Sequence, residues 1–73
     1  MKDQIFTIET EQETDGRWIA EIVELSGVLA YGNTLEEAHA KVEALAFRVL
    51  ADEIEENTNP IPVNYSRVIF SRV

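Results

Sequence analysis

The sequence predicts an α+β domain of order β-β-β-α-β, a four-stranded mixed sheet with one long helix on one face. Three observations carry this prediction. Short runs with apolar residues at alternate positions occupy both ends of the chain, the period of half-buried strands. Asp15-Gly16 stands between the first two runs, a hairpin signal because glycine accepts positive φ without a steric penalty. Thr34-Leu35-Glu36-Glu37 opens a stretch free of Gly and Pro that continues to about Glu56, the pattern of a capped helix. The 73 residues suffice for one domain, residues 1–73, and not for two.

The first strand is read over Gln4–Glu11. Phe6, Ile8 and Thr10 fall on one face, and Ile5, Thr7 and Glu9 on the other. The second runs from Arg17 to Val23, with Trp18, Ala20 and Ile22 on one face and Ile19 and Val23 opposite. Apolar residues on both faces imply that both are at least partly covered. A turn at Glu24–Gly27 leads to a short third strand, Val28–Tyr31, which Gly32-Asn33 breaks. In the helix that follows, the Thr34 hydroxyl and the Glu37 carboxylate are expected to satisfy amides at its start, and Glu36 and Glu37 suit the positive end of its dipole. Asn57 is a plausible stop. Residues 57–64 hold Pro60 and Pro62 and read as an extended connector. Tyr65–Val73 is the last strand, expected to return parallel to strand one and beside it.

At 100° per residue, Leu35, Ala38, Val42, Leu45, Ala46 and Val49 share one arc of the helix and form its predicted core stripe. Phe47, Leu50 and Ile54 form a second, displaced line. The helix spans roughly 33 Å and a strand of this length only about 25 Å, so its last turns are expected to overhang the sheet. Phe47, Leu50 and Ile54 are therefore candidates for self-association, with packing beneath Pro60-Ile61-Pro62 as the alternative. Asp52, Glu53, Glu55 and Glu56 oppose the dipole at the helix end. They read either as a solvated face or as an acidic patch for a basic partner.

The charge balance narrows the function classes. Fourteen acidic residues face six basic ones, a net charge of −8. The basic residues Lys2, Arg17, Lys41, Arg48, Arg67 and Arg72 are scattered, so direct nucleic-acid binding is not expected. An acidic surface favours encounter with a basic partner. Absence of cysteine excludes disulfide and thiolate chemistry. No apolar run follows Met1-Lys2-Asp3-Gln4 as in a signal peptide, and none approaches the length of a membrane helix; a cytoplasmic protein is expected.

No catalytic, metal or cofactor site is expected. His39 is the only histidine and is read as a partly exposed helix residue near the core edge. Ser26, Ser66 and Ser71 lack a basic partner nearby in sequence. Gly27 and Gly32 read as turn glycines and form no phosphate-cradling pattern. A carboxylate-metal nuclease would need acids inside strands, where only Glu9 and Glu21 qualify.

Three pieces of this sequence occur in an order and spacing that resemble the HicB antitoxin family. They are Asp15-Gly16-Arg17-Trp18-Ile19-Ala20-Glu21-Ile22, Leu25-Ser26-Gly27-Val28 and Gly32-Asn33-Thr34-Leu35-Glu36-Glu37-Ala38. The resemblance covers residues 4–56 well and the last strand loosely. It implies a partial RNase H-like fold without RNase activity, homodimers or higher oligomers, and binding to a small basic HicA-type toxin that cleaves mRNA. Neutralisation would work by occlusion, and an acidic domain would offer the toxin the charge its RNA does. Glu21, Glu24 and Tyr31 are the candidate partner contacts. Ser26 and Val23 replace prolines common in the family, and no ribbon-helix-helix or helix-turn-helix follows the last strand, so operator binding is not expected. The alternative is a HicB-fold oligomeric adaptor with no toxin.

Overall fold

A computed structural model describes residues 2–56 and 65–73. The elements are β1 (Lys2–Gln12), β2 (Trp18–Ile22), β3 (Leu29–Gly32), α1 (Leu35–Glu56) and β4 (Tyr65–Arg72). They form one mixed sheet of order β3-β2-β1-β4. β1 pairs antiparallel with β2 and parallel with β4, and β2 pairs antiparallel with β3. The predicted class, order and neighbours all hold, with strand ends shifted by one or two residues.

The turns follow local chemistry. In the first hairpin the Glu13 amide donates to the Arg17 carbonyl and the Gly16 amide to that of Glu13. Gly16 sits at φ +93°, a conformation that a Cβ disfavours. The Asp15 carboxylate accepts from the Arg17 amide and pairs with its guanidinium at 2.8 Å. Those contacts, the backbone amide first, hold the Asp15 carboxyl below its ordinary range. Gly27 at φ +81° serves the β2–β3 turn.

Gly32 differs from the expected turn glycine. It is the last residue of β3, buried, with no positive φ. A Cβ there would collide with the Ala38 backbone nitrogen and lie 2.9 Å from the Glu37 carbonyl carbon. The requirement is close approach of strand and helix.

The helix starts as its capping signature predicts. The Thr34 hydroxyl accepts from the Glu37 amide at 3.1 Å, and the Glu37 carboxylate accepts from the Asn33 amide at 3.2 Å. Lys41, one turn on, pairs with Glu37 at 3.2 Å. The Asn33 amide first and Lys41 second hold the Glu37 carboxyl below its ordinary value.

Alternation along the strands puts Phe6, Ile8, Ala20 and Ile22 under α1, where they meet Ala38, Val42, Ala46 and Leu50. Five helix residues depart from expectation. Leu50 belongs to this core at 5% exposure, while Leu35, Leu45 and Val49 are only half-buried. His39 is also buried, and neither ring nitrogen has a hydrogen-bond partner. The buried face is thus rotated from the predicted stripe toward 39 and 50. Residues 51–56 are all exposed, but β1, with eleven residues, is about as long as the helix, so the expectation that the helix outruns the sheet, based on a shorter strand, does not hold. The proposed packing beneath Pro60-Ile61-Pro62 lies outside the described residues.

Candidate protein-interaction face

The helix covers one face of the sheet; among the described residues no layer covers the other. Odd-numbered residues of β1, β2 and β3, and of β4 from Arg67 on, point to that open face, as the register shows: Ile5 lies beside Ile69, Glu9 beside Glu21, and Ile19 beside Tyr31. Ile5 is 52% exposed, and Leu29, Tyr31 and Val23 are exposed as well. The sequence predicts cover on both faces; the described residues supply it on one.

The charges of this face are unbalanced. Glu9 and Glu21 stand directly opposite each other on β1 and β2. Glu11 and Ile19 join them around a shallow concavity. Like charges in direct cross-strand register repel. The cations nearby are engaged elsewhere. Arg67 pairs with Asp3 at 2.8 Å. Arg17 pairs with Asp15 and lies 5.0 Å from the Tyr31 ring centroid, a cation–π distance. The carboxylates of Glu9, Glu11 and Glu21 have no hydrogen bond or ion pair among the described residues.

Of the three candidate contacts, Glu21 and Tyr31 present their side chains on this face. Glu24 plays a different part. Its carboxylate accepts from the Thr7 amide at 2.7 Å and from the Thr7 hydroxyl at 2.8 Å. β2 ends at Ile22, so without Glu24 the Thr7 amide would have no partner from β2. These two bonds, the amide first, hold the Glu24 carboxyl below its ordinary value of 4.5. No local pattern reveals this role, because the partners are seventeen positions apart.

The candidate self-association residues also divide. Leu50 is core. Phe47 is 52% exposed yet stands edge-on to Phe70 of β4, with centroids 5.4 Å apart at 84°. Ile54 is 51% exposed on the last turns of the helix. Arg72 of β4 reaches Glu36 and Glu43 on the helix.

Among the described residues no three of His, Cys, Asp and Glu are arranged to hold a metal ion. No described helix is long and apolar enough to cross a membrane. In comparisons with family models, with curated proteins and with solved structures, nothing matched this chain.

Proposed function

We propose that the chain is a protein-binding module that presents the open face of its sheet to a small basic partner. The observation that carries this reading is the unpaired Glu9–Glu21 register beside exposed Ile5, Leu29 and Tyr31. Holding two carboxylates side by side costs stability in the free protein. A partner's Lys or Arg would relieve that repulsion, and the apolar side chains would exclude water around it. Among the described residues, the cations nearest this face, Arg17 and Arg67, are already engaged.

The resemblance to HicB antitoxins names the partner class: a HicA-type mRNA-cleaving toxin, neutralised by covering its basic RNA-binding surface. The test is co-expression with the small basic product of an adjacent gene, followed by pull-down and an RNA cleavage assay. A complex that silences cleavage, and that Glu9→Gln/Glu21→Gln weakens, supports the reading. A complex indifferent to those substitutions would move the contact off this face. No complex and no such gene would leave the HicB-fold oligomeric adaptor, the reading favoured by a second surface along β4.

A further inference from the structure

We infer that two copies of this chain pair through the outer edge of β4, antiparallel about a twofold axis near Ile69, to form one continuous eight-stranded sheet. This deepens the oligomeric part of the reading above and does not depend on the identity of a basic partner.

The backbone supplies the first argument. The Val73 amide donates to the Ile8 carbonyl of β1. Amide directions alternate along a strand, so Ile69, Ser71 and Val73 point their amides to β1. Val68, Phe70 and Arg72 point theirs outward, where no fifth strand stands among the described residues. Edge strands are normally blunted by short length, proline, a bulge or an inward charge. The other edge, β3, has four residues. β4 has eight; its one register shift lies at its start, opposite Lys2 and Asp3, and from Arg67 to Arg72 the register is regular, with Val68-Ile69-Phe70 at the centre. An antiparallel edge is complementary to itself, since a twofold axis sets each outward amide against an outward carbonyl of the copy.

Charge supplies the second argument and favours a copy over an unrelated strand. Residues 65–73 hold two arginines and no acid in a chain of charge −8. α1 runs opposite to β4, because Arg72 meets Glu36 and Glu43 while Phe70 meets Phe47. From Arg72 back to Tyr65 is about 23 Å at the rise of a strand. That distance corresponds to about 15 helical residues, which places the start of β4 level with the acidic turns of α1. Those turns carry Asp52, Glu53, Glu55 and Glu56 and no basic residue. Antiparallel pairing brings the copy's Arg72 alongside the start of β4, toward those carboxylates. The same acids that oppose their own helix dipole thereby gain a cation. On the helix side the exposed Phe47 flanks the seam; on the other side Ile69 faces its own copy.

Amide hydrogen exchange on the full chain, read by NMR over a dilution series, tests this together with mass from light scattering. Protection of Val68, Phe70 and Arg72 amides is expected at high concentration and lost on dilution, while Ile69, Ser71 and Val73 stay protected throughout. Ile69→Lys, which sets like charges across the axis, should weaken the dimer by roughly five- to tenfold with an unchanged circular dichroism spectrum. If that variant fails to fold, the wild-type exchange pattern decides alone. A chain that stays monomeric at every concentration overturns the inference. So does a dimer in which the outward amides exchange freely, or outward amides protected only when a different protein is added. Failure of toxin neutralisation with this pattern intact would sink the partner reading and leave the dimer standing.

Discussion

Gly32, His39 and Glu24 each settle a local problem in a way that a measurement reaches directly. Gly32 lets α1 begin against β3, so Gly32→Ala forces backbone apart. A loss of about 1–3 kcal/mol is expected in urea unfolding, and an unchanged midpoint would mean that the two elements do not approach this closely. His39 buries two ring nitrogens without partners. An unsatisfied buried polar group costs stability that an apolar side chain of similar size does not. His39→Leu should therefore raise stability by about 1 kcal/mol, read in the same assay. Glu24 ties the β2–β3 turn to β1 through Thr7. Its folded pKa lies below the ordinary 4.5. Its contribution is thus present above that value and is lost as pH falls through the lower folded one. Glu24→Gln should lower stability at neutral pH, and the gap from wild type should close in acid. A gap that stays constant across that window would show that the charge on Glu24 does not matter.

At the scale of elements, α1 shows what a sequence discloses and what it does not. Its start was legible, because Thr34 and Glu37 are three residues apart and their hydrogen bonds are local. The hairpin at Asp15-Gly16 was legible for the same reason. The rotation of the helix on the sheet was not. A wheel that scores hydropathy puts Leu45 and Val49 inside and leaves His39 and Leu50 aside. The buried face goes instead with the close approach of the helix to Gly32 and with its packing on strands far away in sequence, which a wheel does not contain. The end of α1 yields its own prediction. Four acids and no base oppose the dipole there, so Glu56→Lys should stabilise the dilute protein by about 0.3–1 kcal/mol. It also removes a carboxylate from the region that the copy's Arg72 approaches. Thermal melts over a concentration series should show the variant's advantage shrinking as dimer accumulates. An advantage equal at all concentrations would place the acidic turns away from any dimer contact.

For the whole molecule, the decisive feature is that a thin sheet has two faces and the described residues cover one. The strands advertised the second face through Ile5, Ile19 and Val23, but sequence alone placed no element upon it. Nor did it disclose that Glu9 and Glu21 meet, since register depends on the hairpin rather than on either residue. Their meeting makes the free protein electrostatically strained on the face proposed to bind, and this links stability to recognition. Glu9→Gln should stabilise the isolated protein by roughly 0.2–1 kcal/mol. Added salt should screen the wild-type repulsion, so the difference between the two should shrink with ionic strength. Toward a basic partner the signs reverse. The wild type should bind more tightly at low salt, lose affinity as salt rises, and converge on the weaker, flatter curve of the variant. Denaturation and binding measured over one salt series read both. If Glu9→Gln is destabilising, the two carboxylates do not repel in the free protein. If it is stabilising yet leaves partner affinity and its salt dependence unchanged, the strain is real but the partner binds elsewhere.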